Sequence, residues 1–490
     1  MPLPDVSRMT PLPPALWRAL GTRLRTVGLT MARMQEVTQI GVFMLDAARA
    51  PIRKWHLRRM RDPAGYAMRM LMFDDAISRA EAESALGEVP LDALVEAGFI
   101  CRLNDGNYVS PFNLNLVTDI FVICDHLGSG GDAVMGAGQT TTFMCDASRP
   151  SRRLRGVLDV GCGAGTGALS LAAHAGRVVG TDINARAVAL SRINAELNRI
   201  GNVEFREGDM FAPVADEKFD LIISQPPFVS APPGLAAASF ESGGLRGDEL
   251  PLRLLRQIPG YLAKNGRAVI LAEWPELAGK SVEQHLRAAM PASDIKLLIL
   301  QCPGSALNDY CAIYAAADHP NLGAEYERDA LLRRGHLEAM GIRGLRVAIN
   351  ILQHATDPPT GWTAAVDIQG AGQIILTSER IDKMIAARDL ATRGESAMLA
   401  AKLRVPEGTT FVEERSALDT SAQSKLMARL SPWLLVRPAE LNADALRLLA
   451  LVHQSASVKD AAERFRPPVE LAKILSTVNY FLLYGLLEVA

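Results

Sequence analysis

The sequence predicts an α/β fold built on an open, doubly wound sheet of seven strands, with a helical region before it and an α+β region after it. Three observations predict it. From residue 154 onward, apolar runs with strand character alternate with stretches of helical periodicity. The first run ends in an acid and opens into the glycine-rich turn DVGCGAGTG at 159–167. The second run, RVVGTD at 177–182, ends in another acid.

The strands follow in order. LRGVLDV (154–160) is the first, and the helix ALSLAAHA (168–175) leads to RVVGTD. VEFREGD (203–209) is the third, KFDLIIS (218–224) the fourth, and GRAVILAEW (266–274) follows a helix rich in Leu and Arg. IKLLILQCPGS (295–305) and DYCAIYAAA (309–317) read as a closing strand pair. A parallel β-α-β succession of this kind gathers the strand C-termini around one crevice.

That crevice carries the chemistry. Gly161, Gly163 and Gly165 allow a sharp turn and leave room that a Cβ would fill, while the next helix offers free N–H groups at its start. Asp182, ending the second strand, is placed to accept hydrogen bonds from the two hydroxyls of a ribose. The unit reads as a nucleoside-cofactor site. A dinucleotide is the weaker reading, because it would prefer G-x-G-x-x-G and leaves the acid Asp209 after the third strand unexplained. After the fourth strand comes SQPPFVSAPPG (224–234), a carboxamide followed by a rigid Pro-Pro-aromatic corner.

Over roughly residues 130–316 these motifs together resemble the class I S-adenosylmethionine-dependent methyltransferases. The resemblance is to the branch with an Asn/Asp-Pro-Pro-aromatic motif, which includes release-factor glutamine methyltransferases and several rRNA guanine or adenine methyltransferases. It implies a Rossmann-like core that binds S-adenosylmethionine. The stretch from Asp159 through Gly161, Cys162, Gly163 and Gly165 would hold the methionine end of the cofactor, Asp182 the ribose, and Asp209 with Met210 the adenine. The implied cofactor set also takes in Thr166, Ile183 and Gln225. Gln225 and Pro226 would hold the acceptor's NH₂ and Phe228 would stack on its planar group, with Pro227 completing the corner. DAVMGAGQTTTFM (132–144) resembles the segment that lies over the cofactor, and ESGGLRGDELPLRLL (241–255) the turn and helix after the motif. One departure stands out: Gln225 occupies the position usually held by Asn. Either its extra methylene serves an acceptor of another shape, or Gln225 is structural and the Pro226 carbonyl does the holding.

Length and composition frame the rest. With 490 residues, 49% hydrophobic and 22% charged, the chain suits about three domains, taken as 1–129, 130–320 and 321–490. Six cysteines, at 101, 124, 145, 162, 302 and 311, form no C-x-x-C pair, which argues against a disulfide framework or a metal site and for a reducing compartment. With neither a leader-like start nor a long apolar run, a cytoplasmic protein without membrane contact is expected. The net charge of −2 gives no global attraction to nucleic acid.

The ends differ from the middle. The first 70 residues hold twelve Lys/Arg against four acids, a surplus that would suit phosphates or simply form solvated helix faces. EAESALGEVPLDALVEAGFICRLNDGNYVSPF (81–112) reads as helix, helix and hairpin, the order of a winged helix. Beyond 320, EYERDALLRRGHLEAMGI reads as an amphipathic helix, LRVAINIL and GQIILTS as strands, and the last ninety residues as a helix-turn-helix bundle that would serve packing or a homodimer. His336, His354 and His453 stand alone and read as structural. The acceptor stays open among a protein glutamine, an RNA base reached through the basic N-terminal region, and a specialised small molecule methylated on N, O or S. A non-catalytic, cofactor-sensing regulator with winged ends is the reading from another class.

Overall fold

The structure, a computed structural model, describes residues 3–38, 50–117, 119–126, 131–235, 240–290, 294–319, 321–356, 361–368, 376–414, 425–430 and 439–490. The divisions expected at 129/130 and 320/321, most of the strand expected in GQIILTS, and Arg49 and Asp46 of the basic stretch fall outside these residues.

The N-terminal part is helical. α1 (Pro14–Thr26) starts at a proline, whose missing N–H belongs to a position that has no helical partner anyway. Its stripe of Trp17, Leu20 and Leu24 is buried against Leu190, Ile193 and Leu197. The approach is so close that a Cβ on Gly21 would lie 1.8 Å from the Leu197 carbonyl oxygen. Helices Arg79–Leu86 and Leu91–Glu96 follow, the first closed by a capping box between Ser78 and Glu81. Next comes the antiparallel pair Cys101–Arg102 and Tyr108–Val109, then a longer hairpin, Asn113–Val117 with Ile120–Cys124.

The central sheet is mixed. Its strands are β1 (Leu154–Val160), β2 (Ala175–Asp182), β3 (Val203–Glu207), β4 (Phe219–Ser224), β5 (Leu262–Leu277), β6 (Ile295–Gln301), β7 (Ile342–His354) and β8 (Trp362–Asp367). They lie in the order β8-β6-β7-β5-β4-β1-β2-β3, and the two-residue strand Ser305–Ala306 pairs alongside β7. Pairs such as Val157 and Leu158, Val178 and Val179, Ile222 and Ile223 are buried on both faces, which is why these strands read as continuous apolar runs. Each such Ile or Leu contributes about 1.5–3 kcal/mol. From β1 the chain steps outward through β2 and β3, then returns to the other side for β4 and β5, so the strand order reverses between β1 and β4. The Ser224 hydroxyl ties the two strand ends together by donating to the Val160 carbonyl at 2.6 Å.

Two expected strands need correction. DYCAIYAAA is not a strand but lies in a helix, Leu307–Asp318. Its buried residues Leu307, Tyr310, Cys311 and Ala315 recur at helical spacing, which outweighs the β-preference of Tyr, Cys and Ile. The missing partner is LRVAINIL, expected beyond the core. It lies in β7, antiparallel between β5 and β6, so the sheet continues past residue 320 to Asp367.

The last part packs around its own cluster, including Leu448, Val458, Val478 and Phe481. Helices Ala443–Gln454, Val458–Arg464 and Leu471–Leu483 end in strand Glu488–Val489, which pairs with Leu403–Arg404. Helix Ser378–Thr392 joins it to the sheet. Asp389 accepts hydrogen bonds from Lys296 of β6 at 2.7 Å and from the Trp362 indole of β8 at 2.8 Å.

One buried ion network sits in the N-terminal part. Asp75 receives Arg69 at 2.7 Å and both Arg58 Nε and Nη2, at 3.0 and 2.5 Å. Burial alone would raise Asp75, but the hydrogen bonds from Arg58 and Arg69 outweigh it and hold the carboxyl below its ordinary range. The linked stability is therefore present above about pH 4 and is lost as pH falls below it. Asp75→Ala should cost about 3–5 kcal/mol, since it leaves the buried Arg69 short of its partner. Urea unfolding followed by the fluorescence of Trp17 checks this.

Candidate functional site

The site is assembled around the turn after β1. Gly161, Gly163 and Gly165 have φ of +71, +53 and +86°, a region that side-chain-bearing residues avoid. An added Cβ at Gly161 or Gly163 would meet no protein atom within 4 Å, so space is open there. At Gly165 it would lie 3.0 Å from Phe205, so that glycine serves packing. The turn leads into α3 (Thr166–Leu171), where Gly167 passes β1 so closely that a Cβ would lie 2.7 Å from Asp159 Oδ2.

Side chains hold this turn from behind. Asp182 Oδ2 accepts the Gly163 N–H at 2.8 Å, and Oδ1 accepts the Asn184 N–H at 2.9 Å. On α4 (Ala185–Leu197), Ser191 donates to the Gly163 carbonyl at 2.7 Å and Asn194 to the Ala164 carbonyl at 2.9 Å. The same Asn194 pairs with both backbone groups of Ile123, at 2.8 and 3.0 Å, and thereby couples the N-terminal hairpin to the turn. Sequence reading missed Ser191 and Asn194. Their signal was two small polar residues on the buried face of an apolar helix.

Two acids face this region from inside. Burial pushes the Asp159 carboxyl up to about 7; the Ala168 N–H opposes the shift and the charge of Asp182 adds to it. Asp182 is also raised by burial, against its bonds from Asn184 and Gly163. Beside Asp182, Ile183 leaves 72% of its surface exposed. After β3, Met210 takes a left-handed φ of +48°, with its carbonyl held by Thr181 at 2.9 Å. Asp209 is paired with Arg253. Cys162 is buried, and burial raises its thiol far above the reactive range.

The corner after β4 closes the other side. Gln225 points its carboxamide at the first turn of α2 (Gln139–Ser148): Oε1 accepts the Thr141 hydroxyl at 2.9 Å, and Nε2 donates to Thr140 Oγ1 at 3.0 Å. One N–H and one oxygen lone pair of the amide are left over. Thr140 and Thr141 lie within the Gly-rich approach, but their pairing with a residue more than eighty positions away had no sequence signal. Beyond the corner, Val229–Ser230 pairs with Ser242–Gly244.

These pieces share a single cavity of about 630 Å³. Asp159, Gly161, Cys162, Gly163, Thr166, Asp182, Ile183, Asp209, Met210, Gln225, Pro226, Pro227 and Phe228 all line it; Gly165 does not. Phe240, Glu241, Leu254, Tyr314 and Val347 also line it. Glu241 and Leu254 belong to the 241–255 segment singled out in the sequence, whereas Phe240, Tyr314 and Val347 were not expected at the site.

The basic N-terminal residues lie elsewhere and are largely engaged. Arg18 pairs with Glu196, Arg25 with the Asn198 amide, Arg33 with Asp62, and Arg23 with the Ser84 and Ala85 carbonyls. Arg59 stacks over Trp55 at 4.5 Å. His336, His354 and His453 meet the Leu245 carbonyl, the Pro259 carbonyl and the Val405 N–H respectively. None of the six cysteines, all of them among the described residues, forms a disulfide. Among the described residues no cluster could hold a metal ion, and no helix is long and apolar enough to cross a membrane.

Comparison with known proteins bears on the same region. Residues 140–273 match the family Methyltransferase small domain. A release factor glutamine methyltransferase of Aliivibrio fischeri is 43% identical over 76 residues, which are 15% of this chain and 27% of that protein. The protein of the same name from Xylella fastidiosa is 32% identical over 168 residues, 31% of this chain and 61% of its own length. The chain thus spans less than two thirds of the length of either relative. Among solved structures, a ribosomal protein L11 methylase from Lactobacillus delbrueckii subsp. bulgaricus is 26% identical, covering 29% of this chain and 63% of that one, at a TM-score of 0.23.

A raised acid has a consequence for the ligand-free chain. Asp159 binds its proton more tightly folded than unfolded, so its contribution is complete below about pH 4 and is lost as pH rises toward 7. Asp159→Asn should flatten that part of the stability-versus-pH curve, as measured by thermal unfolding at a series of pH values. Asn194→Ala, which strips three backbone groups of their partner, should cost about 1–3 kcal/mol at every pH.

Proposed function

We propose that this chain, in which residues 140–273 are a methyltransferase small domain, transfers a methyl group from S-adenosylmethionine to a nitrogen of an acceptor held at residues 225–228. The observation that carries the proposal is the shared cavity: the glycine turn, the acids ending β2 and following β3, and the Gln-Pro-Pro-Phe corner all line one space. S-adenosylmethionine supplies an activated methyl group on a sulfonium sulfur.

The residues present fit that group. Asp182, already anchored by two backbone N–H groups, keeps lone pairs for ribose hydroxyls. The open space at Gly161 and Gly163 accommodates a ligand against the backbone, and Asp159 supplies a carboxyl beside it. The exposed Ile183 and the strained Met210 offer apolar surface for a base.

On the acceptor side, Thr140 and Thr141 fix the Gln225 carboxamide, whose remaining N–H and lone pair, with the Pro226 carbonyl, hold the acceptor amide while Phe228 covers it. Pro227 stiffens the corner. Alignment of this kind lowers a barrier by several kcal/mol. It also gives a reason for Gln in place of Asn, since the longer side chain is the one that bonds both threonines.

A glutamine side-chain amide is the first acceptor class, in line with what the relatives' names state of them. A specialised small molecule is the second. It is favoured by helices Leu307–Asp318 and Ala324–Ala339, which reach over the corner: Arg333 donates to the Ser230 carbonyl at 3.3 Å and His336 meets Leu245. The helix, helix and hairpin order over residues 79–109 supports a winged-helix-like N-terminal end, and the helices after 443 a similar C-terminal one. Both ends serve the acceptor. With so many N-terminal cations paired internally, RNA ranks below the other two.

The test is incubation of the full chain with methyl-labelled S-adenosylmethionine and either glutamine-bearing peptides or the protein, RNA and small-molecule fractions of a cell extract. Label should enter peptide or small-molecule nitrogen. A chain that binds the cofactor and labels no fraction overturns the proposal. Asp182→Ala should weaken cofactor binding at least about tenfold by calorimetry, through the loss of charge-assisted hydrogen bonds. Gln225→Asn, which draws the amide away from the threonines, should lower turnover about 100-fold while cofactor affinity stays within about threefold.

A further inference from the structure

Glu273 is out of place in its strand. Along β5, Val269 and Leu271 pack with Phe143 and Met144 of α2, and Glu273, two residues on, falls on the same face. It pairs across the ladder with Val347, which lines the cavity. The residue is 4% exposed, and its Oε2 has no hydrogen-bond partner among the described residues. An apolar side chain would fill this position at lower cost, so packing gives no account of a carboxyl here. The Tyr314 hydroxyl is near enough to favour its ionised form against burial. Tyr314 itself lines the cavity with Gln225 and Phe228, whereas Glu273 lies behind it. The side chains form a layered pair: a phenol facing the acceptor space and a buried carboxyl at its back.

We propose that Tyr314 contacts the acceptor and that Glu273 positions its hydroxyl and takes its proton, so that the pair removes the proton an acceptor N–H gives up on methylation. The inference rests on the methyl-transfer reading above. The acceptor nitrogen forms the N–C bond with its lone pair as the methyl–sulfur bond breaks toward sulfur. The proton then passes from that nitrogen to the Tyr314 oxygen, and the Tyr314 proton passes to Glu273. Charge balances, because the carboxylate ends neutral and the nitrogen carries no net charge.

The surroundings set the direction of the pH dependence. Burial pushes Glu273 up to about 8, with the Tyr314 hydroxyl opposing the shift. Tyr314 is raised well beyond that by burial, with the charge of Glu273, Tyr310 and Glu241 adding to the shift and Arg333 opposing it. Tyr310 lies on the same helix, Arg333 comes from the next helix and is paired with Asp318 at 2.7 Å, and Glu241, itself raised by burial, comes from the loop after the corner. Through neutral pH Tyr314 keeps its proton and Glu273 is the group that titrates. Only ionised Glu273 accepts, so turnover should rise with pH through about 8.

The experiment uses the full chain, methyl-labelled S-adenosylmethionine and whichever fraction or peptide the unaltered protein labels, between about pH 6 and pH 9. Tyr314→Phe, which removes only the hydroxyl, and Glu273→Gln should each lower kcat about 100-fold and abolish its rise with pH. Calorimetric affinity for S-adenosylhomocysteine should stay within about threefold of the unaltered value, which a merely structural role would not separate from kcat. Infrared difference spectra should show a protonated carboxyl that titrates near 8 in the unaltered protein and is absent in Glu273→Gln. Unchanged turnover and pH profile in Tyr314→Phe overturns this inference while leaving the methyltransferase reading intact. An unaltered protein that labels nothing overturns both.

Discussion

A turn in a conformation that only glycine tolerates readily has to be held, because its backbone groups gain nothing from a regular ladder. Here the holding is done from behind by Asp182, Ser191 and Asn194, which engage the Gly163 N–H and the Gly163 and Ala164 carbonyls. Every other part of the cavity is positioned relative to that turn. β1 leads into it, α3 leads out of it, and the corner after β4 is drawn to β1 by Ser224. Asn194 extends the dependence further: with one amide bonded both to Ile123 and to the turn, the N-terminal hairpin is part of the support of the site.

The opposite wall obeys a second constraint, the satisfaction of one carboxamide. Gln225 follows a buried strand and precedes two prolines that offer it no N–H partner, so its amide turns to the threonines opening α2. A helix N-terminus with hydroxyls in its first turn is well suited to receive it. The two walls are therefore tied to different helices, α4 and α2, on elements that are rigid for independent reasons.

What was legible in the sequence was local. β1 to β5, the glycine turn, both strand-ending acids and the Pro-Pro-Phe corner announce themselves within short windows, because period, turn chemistry and strand ends are short-range properties. What was not legible was long-range. β7 pairs with β5 across separations of 65 to 86 residues, and nothing in LRVAINIL says which neighbour it will find. The helix containing DYCAIYAAA was misread because its β-prone residues concealed a helical spacing. The cations of the first 70 residues could be read either as a phosphate-binding surface or as solvated helix faces, because the partners of several of them, such as Glu196, Asn198 and the Ser84 carbonyl, lie far along the chain. Glu273 was in plain view inside GRAVILAEW, and only its burial gives it meaning.

The placement of β7 has an architectural consequence. The excursion that contains helices Leu307–Asp318 and Ala324–Ala339 leaves from β6 and returns in β7, and those two strands are hydrogen-bonded neighbours. Both ends of the excursion are thus pinned a single strand spacing apart in the middle of the sheet, so the length of the connection between its two helices can change without disturbing the register of β6 on β7. The face it presents to the Pro-Pro-Phe corner is consequently an exchangeable module. Change there would reshape the wall of the cavity next to the corner while the backbone of the glycine turn stays as it is.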